Sequence, residues 1–241
     1  MQRKVIVTGA TRGIGRAIAS LLLKKNYAVF GTGTKDSALR CADWPDLNGV
    51  HWIDVDFSNP QSFDAFLEKL PTFGHFWGLV NNAGVNRILP TKDVSESDYD
   101  LVHTINQRCP YFLSRAVLEG MTANGEGRIV NIGSIWSVIT KAHRSLYSSA
   151  KTGITGLTRA LAAEFGKSGI LINTVSPGFV LTDLTRESLT NDEIDKLSAQ
   201  VPVGRMAEPD DIAQVVAFLL SQENRYLSGQ NVVVDGGFSI V

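Results

Sequence analysis

The sequence predicts an α/β protein built on a doubly wound, seven-stranded parallel sheet. Three observations carry that expectation. Short apolar runs alternate with helix-period segments along the whole chain. Most of those runs are solidly apolar rather than alternating, as strands covered on both faces require. A glycine-rich turn joins the first run to the first helical segment. Strand–helix alternation of this kind implies right-handed crossovers with helices on both faces of the sheet.

The strands are expected at 4–7, 28–32, 51–55, 78–81, 128–132, 171–175 and 231–234. After the first, Ile14, Ile18, Leu21 and Leu22 form one helical stripe. Phe63, Phe66, Leu67 and Leu70 form another, behind the start signal Asn59-Pro60. Ser95 to Asp98 and Thr190 to Glu193 read as capping boxes that open helices. Pro209-Asp210-Asp211 opens the helix that carries Ile212, Val215, Val216 and Leu219. The sequence shows no internal repeat, low-complexity tract or linker, so residues 1–241 are expected to form a single domain.

Composition narrows the function. A hydrophobic content of 44% excludes disorder. A chain of this size buries roughly 70–75% of its unfolded surface, so it needs no disulfide or metal staple. Lys and Arg number 23 against 24 Asp and Glu, a net charge of −1 without a basic block. That argues against a nucleic-acid partner. No 18-residue apolar stretch and no signal-peptide pattern is present, so a cytoplasmic protein off the membrane is expected. Cys41 and Cys109 have neither a disulfide nor a metal-ligand spacing, and two reduced thiols and no metal are expected. The 22 glycines slightly exceed the roughly 7% average.

Several glycines fall in Thr8-Gly9-Ala10-Thr11-Arg12-Gly13-Ile14-Gly15. A strand running through such a turn into a helix presents free N–H groups and a positive dipole end to a phosphate. Gly9 permits the tight turn, Gly13 lets the backbone approach a pyrophosphate, and Gly15 allows close helix–sheet packing. The spacing is G-x-x-x-G-x-G, not the G-x-G-x-x-G of the long dinucleotide fingerprint.

Further marks follow in order. Asn81-Asn82-Ala83-Gly84 ends the fourth strand, Ser134 follows the fifth, and Tyr147-Ser148-Ser149-Ala150-Lys151 begins thirteen residues later. Ser176-Pro177-Gly178 follows the sixth. Together with the glycine turn, these motifs resemble the short-chain dehydrogenase/reductase family over essentially the whole chain. The resemblance implies a Rossmann fold, a nicotinamide cofactor and interconversion of a ketone and a secondary alcohol.

Tyr147 and Lys151 lie four apart on a predicted helix and share one face. Such a pair alone reads as an exposed helix pair. A tyrosine near pKa 10 is a poor catalyst at neutral pH. A lysine one turn away is expected to favour the phenolate and bring the phenol into a working range for acid–base chemistry. Ser134 falls at the carboxyl edge of the sheet, where open α/β sheets bind ligands. Its hydroxyl is suited to stabilising developing oxyanion charge. The resemblance adds Asn106, in Thr104-Ile105-Asn106, as holder of a water that relays protons through Lys151. With Ser134, Tyr147 and Lys151 all present, a cofactor-sensing regulator without catalysis is disfavoured.

Gly9, Thr11, Arg12, Gly13 and Ile14 are the expected cofactor contacts of the turn. An acid about 20 residues beyond such a turn marks NAD. Here Thr32 holds that position, and Asp36 comes late enough to start a turn instead. Arg12, helped by Lys35, is placed to meet a 2′-phosphate, for which the planar guanidinium is well shaped. NADP(H) is therefore expected over NAD(H). The resemblance implies Asp56 and Phe57 at the adenine, with Asn82, Ala83 and Gly84 near the adjoining ribose. It implies Tyr147 and Lys151 at the nicotinamide ribose, and Pro177, Gly178, Val180 and Thr182 near the carboxamide.

Within the family, Gly31-Thr32-Gly33-Thr34, the segment from Gln200 to Arg205 and the closing Val234-Asp235-Gly236-Gly237 are similar to bacterial 3-oxoacyl-(acyl-carrier-protein) reductases. That implies a 3-oxoacyl thioester substrate and acyl carrier protein as partner. Two basic positions expected to dock the acidic carrier hold Gly125 and Ser168, with Arg128 and Lys167 nearby. An acidic partner needs such charge for steering. The loop before Tyr147 carries Trp136, Lys141, His143 and Arg144, with Arg87 expected near the same rim. These suggest a polar or anionic substrate, so a sugar, polyol or hydroxy acid is the alternative. Residues 183–200 are expected to form a helical lid that excludes water. The resemblance also implies a homotetramer packed through 98–121 and 148–165.

Overall fold

Alternating side chains along β1 (Lys4–Val7) show how the sheet divides its surroundings. Val5 and Val7 face one hydrophobic layer and Ile6 the other. The same split recurs at Leu79 and Val80, and at Ile129 and Val130, as the two-residue period of a strand requires. The computed structural model describes residues 2–34 and 44–241. Lys35, Asp36 and Cys41 lie outside the described residues.

The other strands are β2 (Ala28–Gly33), β3 (His51–Asp54), β4 (Gly78–Asn81), β5 (Gly127–Ile132), β6 (Ile170–Pro177) and β7 (Asn231–Val234). They form one parallel sheet in the order β3-β2-β1-β4-β5-β6-β7. Three strands match their expected bounds, and most others shift by a residue. β6 runs further than expected because Ser176 and Pro177 stay in register with Val233 and Val234. Proline is tolerated there because the pairing with β5 ends at Val175, so the missing N–H of Pro177 faces no ladder partner on that side.

One face of the sheet is covered by α1 (Gly13–Lys24) and α8 (Pro209–Leu220), through Ile18, Leu22, Ile212 and Val216. The opposite face is covered by α2 (Pro60–Lys69) and α4 (Cys109–Asn124), through Phe63, Phe66, Leu113 and Met121. α5 (Ser145–Phe165) packs on the same side, with Leu161 and Phe165 at its far end. α3 (Glu96–His103), α6 (Asp183–Ser188) and α7 (Asn191–Ser198) complete the described helices. The expected starts hold: Asn59 caps α2, and capping boxes open α3 at Ser95 and α7 at Thr190.

A buried polar ladder crosses the sheet's interior. Asn81 Nδ2 donates to Ser114 Oγ at 3.2 Å and to Asn131 Oδ1 at 2.7 Å. Asn131 Nδ2 donates to Thr158 Oγ1 at 2.8 Å, and the Thr158 and Thr174 hydroxyls meet at 2.7 Å. Cys109 is free and buried. Among the described residues no helix is long and apolar enough to cross a membrane, and no His, Cys, Asp or Glu cluster could hold a metal ion.

The strand order reverses between β1 and β4. Their carboxyl ends open the crevice where doubly wound sheets take ligands.

Candidate active site

The glycine turn enters that crevice from β1. Gly9 and Gly13 adopt φ of +63° and +52°, left-handed conformations that suit glycine. A Cβ on Gly15 would collide with the Gly9 carbonyl oxygen and lie 2.5 Å from Asn82 Nδ2. Three side chains brace the turn from within. Thr8 Oγ1 accepts the backbone N–H groups of Asn82 and Ala83, both at 2.9 Å. Asn82 Nδ2 returns bonds to the carbonyls of Thr8 and Gly9 at 2.8 and 3.1 Å. Thr32 is fully buried and its Oγ1 accepts the Gly9 N–H at 3.2 Å, so its side chain supports the turn rather than facing the crevice.

This geometry suits a phosphate at the start of α1. α1 starts from Arg12, which provides no side-chain cap, and its first turn carries no acid. Arg12 itself is exposed, while Thr11 and Ile14 are half-buried. Across the crevice Thr182, the N-cap of α6, stands against Gly13, whose added Cβ would be 3.3 Å from Thr182 Cγ2. Gly178 is held by its N–H to the Val234 carbonyl at 2.9 Å. Pro177 and Val180 are buried on either side of it. Asp56 is exposed and accepts from Ser58, and the Phe57 ring meets Phe63 at a tilt, 5.7 Å between ring centres. Of the expected cofactor residues, Gly9, Gly13 and Thr182 thus stand around the starts of α1 and α6, whereas Thr32 is turned inward.

Ser134, Tyr147, Lys151 and Asn106 converge beside it. Ser134 caps a short 3-10 turn, Ile135–Ser137, at the end of β5, and its Oγ accepts the Trp136 N–H at 3.2 Å. The Ser134 side chain also lies close enough to Tyr147 of α5 to pull its phenol down. Lys151 Nζ lies 5.6 Å from the Tyr147 ring centre and donates to the Ile132 carbonyl at 2.8 Å. Asn106 is buried in a π-helical turn, Thr104–Arg108, a distortion frequent at functional sites. Both ends of its amide bond Val85: Oδ1 accepts the N–H at 3.2 Å and Nδ2 donates to the carbonyl at 2.8 Å. Gly84 sits between the last two, since an added Cβ would lie 2.7 Å from Asn106 Oδ1 and 3.5 Å from Lys151 Nζ.

The electrostatics correct one expectation. Lys151 was expected to lower the Tyr147 phenol. Burial instead pushes that phenol up to about 12, and only Ser134 and the Arg144 charge pull it back. The reason is that Lys151 is itself desolvated, which pushes its ammonium down to about 8, and its Nζ is turned to Ile132. In the isolated chain Tyr147 therefore carries its proton at neutral pH, the state of a proton donor.

A second set of residues carried little sequence signal. Ser137 Oγ donates to the Ser134 carbonyl at 2.7 Å and meets Ser176 Oγ at 3.3 Å. Ser176 Oγ donates to Asn231 Oδ1 at 2.6 Å. These hydroxyls fix the backbone of Ser134 from behind. Only Ser176 falls in a motif, and Asn231 reaches it through the β6–β7 register.

The mouth differs from the expected rim. Lys141 and Arg144 both approach the Trp136 ring, and Trp136 packs edge-on against Phe179. Arg87, in contrast, forms a half-exposed ion pair with Asp98 at 3.6 Å. Arg128 is buried, not available to a carrier: its guanidinium bonds the carbonyls of Gly127 and Asn224 at 2.8 and 3.0 Å. Gly125 ends α4 at φ +67°. Lys167 is exposed. A separate groove of about 470 Å³ between α4 and α5 is lined by His103, Gln107, Tyr111, Ile154 and Leu157, among others, without Ser134, Tyr147 or Lys151.

Comparison with known proteins agrees with this geometry. The family described as enoyl-(acyl carrier protein) reductase matches residues 9–239. The chain is 42% identical over 245 residues to the 3-oxoacyl-(acyl-carrier-protein) reductase FabG of Pseudomonas aeruginosa, covering 98% of each chain. It is 38% identical over 238 residues to FabG of Vibrio cholerae, covering 98% of this chain and 97% of that one. A solved structure from Beutenbergia cavernae, provisionally described as an NAD(P) dependent gluconate 5-dehydrogenase with bound NADP, superposes with a TM-score of 0.92 at 34% identity. That match covers 99% of this chain and 97% of the other.

Proposed function

The chain belongs to the short-chain dehydrogenase/reductase family and is a nicotinamide-dependent oxidoreductase, and from that premise we propose that it reduces the ketone of a 3-oxoacyl thioester with NADPH. One observation carries the reading: Ser134 at the carboxyl edge of β5 lies close enough to Tyr147 to act on its phenol, with Lys151 buried 5.6 Å from the Tyr147 ring centre.

The bound cofactor would supply the hydride. The chain's residues do the rest. The Ser134 hydroxyl and the Tyr147 hydroxyl receive the substrate's carbonyl oxygen between them. Tyr147, protonated at neutral pH, gives its proton as that oxygen gains charge, and Ser134 stabilises the charge by hydrogen bonding. Lys151 holds the next proton close to Tyr147. Asn106, tied to Val85 at both ends of its amide, is a positioning residue that keeps the segment after Gly84 against Lys151. The helices α6 and α7, within 183–200, close over the substrate.

Preference for NADPH rests on β2 and α1. β2 ends in Thr32-Gly33 and is followed by Thr34, with no acid there to meet a free ribose hydroxyl, and exposed Arg12 offers a guanidinium at the start of α1. Basic equipment for an acidic carrier is thin, because Arg128 is buried and Lys167 is the exposed neighbour. Acyl carrier protein remains the proposed donor of the thioester, met chiefly at Lys167. A homotetramer, packed through 98–121 and 148–165, would cover the groove between α4 and α5 and the exposed ring of Tyr111.

The alternative substrate, a sugar, polyol or hydroxy acid, is favoured by one observation: the cations Lys141 and Arg144 at the mouth. Steady-state rates with an acetoacetyl thioester beside a sugar, polyol and hydroxy-acid panel test the reading. Thioester turnover with NADPH supports it, and turnover confined to the panel overturns it.

A further inference from the structure

Arg144 is the residue before α5 and lies one turn ahead of Tyr147. His143, just before it, holds φ +66°. That left-handed conformation costs a non-glycine residue roughly 1–2 kcal/mol and persists only where the surroundings enforce it. The turn lays the Arg144 guanidinium over the Trp136 indole, 5.1 Å from the ring centre. Lys141 Nζ reaches the same ring at 5.6 Å. Trp136 in turn holds Ser134 through its backbone N–H. Arg144 thus stands on the residue that braces Ser134, and its charge acts on Tyr147 itself.

Its own bonding is incomplete. The Nε is buried with no hydrogen-bond partner. The ion pairs among the described residues include neither Arg144 nor Lys141. Arg87, the other cation expected at this rim, is by contrast taken by Asp98. A buried donor left unpaired costs about 1–3 kcal/mol, so an orphan beside a reaction centre points to an acceptor that the ligand brings. Nε and its neighbouring amine form a planar fork, and a carboxylate is the planar anion that fits it with two parallel bonds.

We propose that, beyond thioester reduction, the site accepts short oxo acids, whose free carboxylate pairs with Arg144 while the ketone lies between Ser134 and Tyr147. This rests on the reading of Ser134 and Tyr147 as the reacting pair. The Arg144 guanidinium, over Trp136 and near enough for its charge to act on Tyr147, sets the anion close to the reacting carbon, which favours short oxo acids such as 3-oxo acids over long chains. The carbonyl carbon gains the hydride that NADPH supplies, its oxygen gains the Tyr147 proton, and the carboxylate passes through unchanged. Solvent restores the proton, giving a 3-hydroxy acid and NADP+. Lys141 adds positive charge at the entrance.

Calorimetric titration of 3-hydroxybutyrate into the protein saturated with NADP+ tests binding apart from turnover. Saturable binding is expected, weakened about 10- to 100-fold in Arg144→Gln and partly restored in Arg144→Lys. Acetoacetate is compared in parallel with the neutral N-acetylcysteamine thioester of the same acyl group. The ratio of their kcat/KM values is expected to fall at least about tenfold in Arg144→Gln, the loss of one charged hydrogen bond. Absence of binding by the wild type, or unchanged binding in Arg144→Gln, overturns the proposal. So does an equal fall for both substrates with a displaced pH profile, which makes Arg144 a partner of Tyr147 alone. Failure of the underlying reading looks different: NADP+ binds, neither ketone is reduced, and the titration still decides the role of Arg144.

Discussion

Lys151 Nζ donates to the Ile132 carbonyl at 2.8 Å, tying the middle of α5 to the end of β5. The bond holds a charged group in a place where burial pushes its pKa down from 10.5 to about 8. Function and stability therefore oppose each other at this residue. Below about pH 8 the folded and unfolded chains both bind the proton, and the burial penalty is complete. Between about 8 and 10.5 the unfolded chain binds more protons than the folded one, so stability rises with pH. Lys151→Met is expected to be inactive yet more stable than the wild type at pH 7, by about 1–3 kcal/mol after loss of the Ile132 bond. Urea melts should show the gain vanishing as pH approaches 10.5, the ordinary lysine value. A gain independent of pH would count against a desolvated ammonium.

The rate of ketone reduction should follow Lys151 before it follows Tyr147. Tyr147 keeps its proton until about 12, whereas Lys151 begins to lose its own near 8. The kcat/KM for reduction is expected to be level below about pH 8 and to fall above it. A profile level to pH 11 would remove Lys151 from the proton path.

Tyr147→Phe deletes the proton donor and leaves the ring. Its kcat should fall by about 10²–10⁴. Binding of NADPH, followed by nicotinamide fluorescence, should change less than about threefold. Turnover near the wild-type rate would displace Tyr147 from the role assigned to it.

Gly15→Ala places a methyl against the Gly9 carbonyl oxygen and Asn82 Nδ2. The turn must shift, at a cost of about 1–3 kcal/mol in stability. The Kd for NADPH should rise with it by about tenfold or more. Unchanged cofactor affinity would show that the glycine turn is not the phosphate cradle.

Arg12→Ala should raise the KM for NADPH by about 10- to 100-fold, the value of a charge-assisted bond, and leave the KM for NADH within about threefold. Equal effects on the two cofactors would assign Arg12 to the shared pyrophosphate instead.

Much of the frame was legible because its signals are local. Solid apolar runs at 4–7, 78–81 and 231–234 became β1, β4 and β7 with those bounds. Ser95 and Thr190 announced their helices through residues three places on. The catalytic candidates were legible as spaced motifs, and the fold brings them to one edge of the sheet. What escaped depends on distant chain segments. Arg128 looks like a surface cation in sequence but lies under Asn224, almost a hundred residues away. The direction of the Tyr147 shift is set by burial, which the four-residue spacing to Lys151 does not encode. Thr32 occupies the position of a cofactor contact, yet its hydroxyl is consumed by Gly9.

The ladder from Ser114 through Asn81 and Asn131 to Thr158 and Thr174 also bears on the register of the sheet. Apolar strands such as β4, β5 and β6 would pair almost as readily one residue out of step. A one-residue slip turns every side chain to the opposite face. Asn81 and Asn131 would then be stranded in dry layers built for Val80 and Val130, at about 1–3 kcal/mol for each orphaned group. The ladder is thus a register key for the sheet: a slipped pairing strands its amides, and the aligned pairing alone joins Ser114, Asn81, Asn131, Thr158 and Thr174.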